Sequence, residues 1–61
     1  MYKIEIANET ACIMLKDQEG NLINYQFINK YHFENSMTEE ELQKEINKFA
    51  ARNNVESILV N

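Results

Sequence analysis

The chain has 61 residues, of which 10 are acidic and 6 are Lys or Arg, and its net charge at pH 7 is −4. So short a chain forms one domain, residues 1–61, with marginal stability unless disulfides, a metal or self-association help. Because the chain has a single cysteine, it cannot form an internal disulfide, and with a single histidine as well it has too few ligands for a structural zinc site. The excess of acidic residues argues against nucleic acid as a partner.

The composition and the N-terminus also predict where the protein works. Lys3 and Glu5 interrupt the first apolar pattern, so no signal peptide is expected, and the longest apolar run, 11–15, is too short to span a membrane. We therefore expect a cytoplasmic protein. Nine Asn, seven Ile, one Gly and no Pro reflect A/T-rich codons, which points to a low-G+C bacterium or its phage or plasmid.

Two strands are predicted at the start of the chain. Residues 2–7 alternate between apolar and polar side chains, which is the pattern of a half-buried strand. Residues 8–9 can turn the chain. Residues 10–16 form a second strand, in which Cys12 and Met14 place apolar groups on the face opposite its other apolar side chains.

A turn and a third strand follow. Residues 17–21 contain the only glycine, which can adopt positive φ, and short apolar runs flank them, so a hairpin is predicted. The third strand is 22–28. Its alternation continues to Tyr31 and Phe33, so we consider a longer strand with a bulge near 29–30.

One amphipathic helix is predicted over 39–52. Thr38 followed by Glu41 is the pattern of a capping box, and Met37 and Leu42 have the spacing of a hydrophobic staple. Apolar side chains recur on one face of the helix, at Leu42, Ile46, Phe49 and Ala50. Two consecutive Asn residues, 53–54, tolerate the left-handed conformation and can end the helix.

A last strand, 55–60, completes the order β-β-β-α-β, an α+β fold. The first three strands form an antiparallel meander. A right-handed crossover through the helix is expected to place the fourth strand beside the first and parallel to the first and third. The alternative is a hairpin between the helix and the last strand.

The helix can cover only one face of such a sheet. We assign to the covered face Tyr2, Ile4, Ile6, Ile13, Leu15, Ile23, Tyr25 and Phe27. The opposite face then carries Cys12, Met14, Leu22 and Ile28, with either Ile58 and Val60 or Val55 and Leu59. An open apolar face of this size is typical of an interface, so we predict a homodimer or a protein-binding sheet.

The titratable side chains give little support for catalysis. His32 could pair with Glu34, but no nucleophile accompanies them. Cys12 lies in the middle of a strand among apolar residues, where a packed thiol is the better interpretation. Three consecutive carboxylates, residues 39–41, point in different directions on a helix. We therefore predict no catalytic residues, no metal site and no cofactor.

Two surfaces remain as candidates for binding a partner. Lys30, Tyr31, His32 and Phe33 combine aromatic and basic groups in an otherwise acidic protein, as interface hot spots often do. Glu40, Glu41 and Glu45 would form an acidic helix face, which a sharper hypothesis treats as an imitation of DNA phosphates.

These observations favour a small non-enzymatic module that binds another protein, as an inhibitor or modulator encoded by a phage or mobile element. The alternative is a dimeric nucleic-acid-binding regulator, whose best residues are Lys30, Tyr31, Lys44, Lys48 and Arg52. A third hypothesis is a small enzyme that uses His32 with Glu34.

Overall fold

Three strands and two helices follow one another in the computed structural model, which describes residues 2–55. The strands form an antiparallel sheet in the order β1-β2-β3, which confirms the predicted meander and the α+β class. The predicted fourth strand lies outside the described residues, except for Val55, which follows the helix without strand structure. The elements are β1 (Lys3–Ala7), β2 (Cys12–Lys16), β3 (Leu22–Phe27), α1 (Lys30–Asn35) and α2 (Glu39–Arg52).

The turn between β2 and β3 forms where the sequence predicts it. The Asp17 carboxylate accepts the backbone N–H groups of Glu19 and Asn21, each at 2.9 Å. Hydrogen bonds from the backbone and side chain of Asn21 lower the pKa of Asp17 below its ordinary value. Gly20 has a φ of 88°, which glycine adopts without steric cost.

Helix α2 has the bounds that the sequence predicts. The Thr38 hydroxyl accepts the backbone N–H of Glu41, and the Glu41 side chain accepts the N–H of Thr38, so the capping box is present. At the other end Asn53 caps the helix, and Asn54 has a φ of 57°. Met37 and Leu42, the predicted staple residues, are both half-buried.

The core lies between one face of the sheet and α2. It consists of Ile4, Ile13, Leu15, Ile46, Phe49 and Ala50, with Ile6, Ile28, Leu42 and Val55 packed against it. In the β1–β2 pair, Ile4 lies opposite Leu15 and Ile6 opposite Ile13, so the predicted core side of these strands is confirmed. The predicted apolar stripe of α2 is confirmed as well.

The predicted face of β3 is wrong for Tyr25 and Phe27 because of one extra residue, whereas Leu22 lies on the open face as predicted. Lys16 lies opposite Leu22, but Leu15 lies opposite Asn24, so Ile23 has no partner on β2 and forms a bulge. A slip of one residue moves every following side chain to the other face. Tyr25 therefore lies on the open face, not under the helix.

The same slip changes the remaining assignments on β3. Phe27 also belongs to the open face, opposite Cys12, while Asn24 and Gln26 belong to the covered side. Ile28, which we predicted on the open face, packs against the core instead. Tyr2, predicted under the helix, is 47% exposed.

The predicted extension of the third strand is also wrong. Residues 30–35 form the short helix α1, whose N-cap Asn29 accepts the backbone N–H of His32 at 2.9 Å. β2 begins at Cys12, which already pairs with Phe27, so a longer β3 would have no partner strand there. A local cap therefore replaces the missing sheet hydrogen bonds.

Candidate functional site

The open face of the sheet carries a continuous apolar surface, which we call the open-face patch. It borders a shallow depression of about 270 Å³. The residues that line it are Thr10, Cys12, Met14, Leu22, Tyr25 and Phe27. None of these side chains is charged.

Strand pairing positions the aromatic rings of the patch. Tyr25 lies opposite Met14, and Phe27 lies opposite Cys12. The two rings meet edge to face, with centroids 5.5 Å apart and an interplanar angle of 73°. Such a contact favours this relative orientation while both rings stay exposed. Tyr25 is 54% exposed, Phe27 63% and Leu22 53%.

The patch contains three of the residues that we predicted on a dimer face, Cys12, Met14 and Leu22. Ile58, Val60 and the alternative Leu59 lie outside the described residues, while Val55 packs against the core. Sequence reasoning missed the two aromatic residues of the patch. The alternation of apolar residues along β3 does not reveal the bulge, because a bulge is defined by the register between two paired strands.

His32 does not pair with Glu34, the carboxylate that the enzyme hypothesis would use. Its Nε2 lies 2.9 Å from Oε2 of Glu41, and its Nδ1 lies 3.2 Å from the hydroxyl oxygen of Ser36. The hydrogen bond from His32 lowers the pKa of Glu41, and the bond from the Thr38 backbone N–H acts in the same direction. Both ring nitrogens therefore have partners: Nε2 connects α1 to the start of α2, and Nδ1 contacts the C-cap residue of α1.

Cys12 also lacks the surroundings of a nucleophile. It is 6% exposed, and its Sγ lies 3.7 Å from the backbone oxygen of Ile13. An activated thiol needs a positive group or a helix N-terminus beside it, together with access for a substrate. Its position in a strand, with Phe27 opposite, provides packing and not activation.

The aromatic and basic segment 30–33 is rearranged by α1. On a helix, side chains two positions apart point in different directions, so Tyr31 and Phe33 do not share a face as they would on a strand. Tyr31 is 76% exposed and Phe33 is half-buried. Lys30 is exposed at the first position of the helix.

The predicted acidic face of α2 is mostly engaged in local contacts. Glu41 bonds to His32, and Glu45 accepts from Gln26 at 3.5 Å and pairs with Lys48 at 3.8 Å. Glu40 is exposed.

The basic residues of α2 lie among these acids. Lys44 and Lys48 line a groove of about 390 Å³ together with Glu41 and Glu45. A nucleic-acid surface needs a basic stripe that is not interrupted in this way. The nucleic-acid alternative stays a prediction, as does the imitation of DNA.

Within residues 2–55, no three His, Cys, Asp or Glu side chains are grouped to hold a metal ion. Neither helix in that range has the length and apolar character that crossing a membrane requires. Comparison with protein-family models, with curated proteins and with solved structures finds no match to this chain.

Proposed function

We propose that this protein is a non-enzymatic module that binds another protein through the open-face patch. One observation carries the proposal: Tyr25 and Phe27 are each more than half exposed on a surface without charged side chains. Aromatic residues in uncharged surroundings are the usual centre of a protein interface, because their burial releases much water at little cost in side-chain entropy.

The contact between the two rings supports this assignment. An exposed aromatic ring that moves freely loses conformational entropy when a partner covers it. Here the edge-to-face contact already restricts both rings before binding. The depression beside them is shallow and apolar, which suits an apolar side chain of a protein partner better than a polar metabolite.

We further propose that the module acts as an inhibitor or modulator of its partner, and that a phage or mobile element encodes it. The small size and the residue composition support an origin in a phage or mobile element. The hydrogen bond of His32 to Glu41 and the burial of Cys12 support an action without catalysis. A module of this kind changes the activity of its partner by occupying a surface and contributes no chemistry.

The test compares capture of partners by wild-type protein and by a Tyr25→Ser/Phe27→Ser variant from a low-G+C bacterial lysate. We expect a discrete protein with the wild type and none with the variant. The matched control is Ile23→Ser/Tyr31→Ser, which removes two side chains outside the patch that are likewise more than half exposed, and it should keep the partner. Because all four residues are exposed, each pair should change stability by about 1 kcal/mol or less.

The captured protein is then purified and titrated directly. We expect the patch variant to bind at least about tenfold more weakly, as the loss of two hot-spot rings implies. Wild-type protein should also change the partner's activity, and the patch variant should not. A partner that binds both variants equally well would refute the assignment of the patch.

A further inference from the structure

The edge of β3 is a second surface without an evident partner. Within residues 2–55, β3 pairs only with β2 and ends the sheet on its side. Edge strands expose a row of backbone N–H and C=O groups, which natural proteins usually protect with Lys, Pro, charges or a covering element. β1, the other edge of the described sheet, carries Lys3 and Glu5, whereas β3 has neither charge nor proline.

Hydrogen bonds indicate which backbone groups of β3 point outward. The N–H of Ile28 donates to the carbonyl of Ala11, so it points toward β2. The N–H of Tyr25 donates instead to the side chain of Asn24 at 2.8 Å, so it points away from β2. Backbone groups of successive residues alternate between the two sides of a strand. Phe27 therefore presents its N–H and C=O on the same outward side as Tyr25.

The bulge restricts the free part of the edge to one end. Ile23 disturbs the start of β3, so regular pairing is available from Asn24 to Phe27. The outward N–H of Tyr25 already donates to the Asn24 side chain. The outward N–H of Phe27 lies at the end of β3 that the bulge does not disturb.

We propose that the edge of β3 pairs antiparallel with β3 of a second copy, around a two-fold axis at Gln26. In this register Tyr25 of each copy lies opposite Phe27 of the other, and the Phe27 N–H of each copy donates to the Tyr25 carbonyl of the other, which gives two backbone hydrogen bonds. Because the axis is perpendicular to the sheet, each open face continues into the other, and the four rings lie side by side.

The lack of charge on β3 makes this edge the place where a second copy meets the least repulsion. The chain carries a net charge of −4, so two copies repel each other over most of their surfaces. β3 is the strand on which they can meet without placing like charges opposite each other. The Gln26 side chains, which already reach Glu45 on the covered side, meet across the axis as neutral groups.

The test blocks the edge without changing a side chain. A chain of 61 residues can be made by chemical synthesis, so an N-methyl group can replace the amide hydrogen of Phe27. It removes the outward donor and obstructs the edge, while the hydrogen bonds to β2 remain. The matched control carries the N-methyl group at Lys30, the first position of α1, where a missing N–H is tolerated.

We expect light scattering and sedimentation to give twice the chain mass for the unmodified protein and for the Lys30 control. The Phe27 N-methyl protein should dissociate, with a dissociation constant at least about tenfold higher, since each dimer loses two hydrogen bonds. The amide of Phe27 should exchange with deuterium more slowly as the concentration of the unmodified protein rises.

Three outcomes would overturn the proposal. The unmodified protein could stay monomeric at every concentration, or the Phe27 N-methyl protein could remain a dimer through another surface. The Phe27 amide could also exchange slowly at all dilutions in a monomer, which would mean that the chain itself covers this edge. Failure here does not affect the proposed function, because the N-methyl protein keeps both rings and should still bind the captured partner.

Discussion

At the level of single residues, Glu41 has two roles. It completes the capping box with Thr38, and it accepts a hydrogen bond from His32 on α1. One carboxylate therefore stabilises the start of α2 and connects the two helices. Its lowered pKa follows from these contacts, the bond from His32 first.

The lowered pKa predicts how Glu41 affects stability at different pH values. A carboxyl group whose pKa is lower in the folded protein stabilises the fold when it is ionised. That contribution is complete above the ordinary pKa of 4.5 and is lost as the pH falls through the lower folded value. Glu41→Gln should therefore be less stable than wild type at pH 7, and the difference should shrink as the pH approaches about 3.

Urea unfolding at a series of pH values measures this difference. Gln can keep the capping box through its amide oxygen, so the substitution removes the charge and the acceptor for His32 but not the cap. Glu40→Gln is the matched control, because it removes a charge in the same helical turn from a residue that does not take part in the capping box. A difference between wild type and Glu41→Gln that stays constant with pH, or that Glu40→Gln reproduces in full, would contradict the argument.

At the level of elements, α2 is specified by local signals at both ends. The Thr38 cap begins it, Asn53 and Asn54 end it, and acidic residues 39–41 interact favourably with the helix dipole. β3 contrasts with it, since its pairing depends on β2 and on a bulge at Ile23. The stability of α2 should therefore depend on its N-cap residue Thr38, and it should not depend on which strand pairs with β3.

Replacing Thr38 by Ala tests the cap. The backbone N–H of Glu41 would lose its acceptor at 3.1 Å, and the fold should lose about 1 kcal/mol of stability. Thr38→Ser keeps the hydroxyl and should lose much less. Chemical denaturation of the three proteins gives the comparison. Equal losses for the Ala and Ser variants would show that the hydroxyl does not act as the cap.

At the level of the whole molecule, stability depends on a small core. Ile46 and Phe49 of α2 pack against Ile4, Ile13 and Leu15 of the sheet, and all five are at most 2% exposed. The opposite face of the sheet adds the open-face patch, which is largely uncovered within residues 2–55. The buried core therefore lies on the helix side, and the exposed apolar side chains of residues 2–55 include those of the open side.

Small changes in the core should therefore be measurable. Ile46→Val removes one methylene group from a fully buried side chain and should cost about 1 kcal/mol. Ile23→Val removes the same group at a position that is 51% exposed and should cost less than about 0.5 kcal/mol. The free energies of unfolding in urea give both values. An equal cost at the two positions would contradict the placement of the core.

The sequence by itself determined the features that depend on neighbours along the chain. The bounds of α2, its capping box and the turn that contains Gly20 follow from side chains a few residues apart, whose contacts do not depend on the register between strands. The core sides of β1 and β2 also follow, because apolar alternation and burial agree there.

Only the tertiary structure decided α1, the faces of β3 and the partner of His32. Each depends on where one strand ends or slips relative to another: β2 begins at Cys12, opposite Phe27, and the bulge at Ile23 turns Tyr25 outward. His32 reaches Glu41 only because α1 folds back beside α2. Alternation along one strand carries no information about its register with the next, and a slip of one residue reverses which side chains are buried.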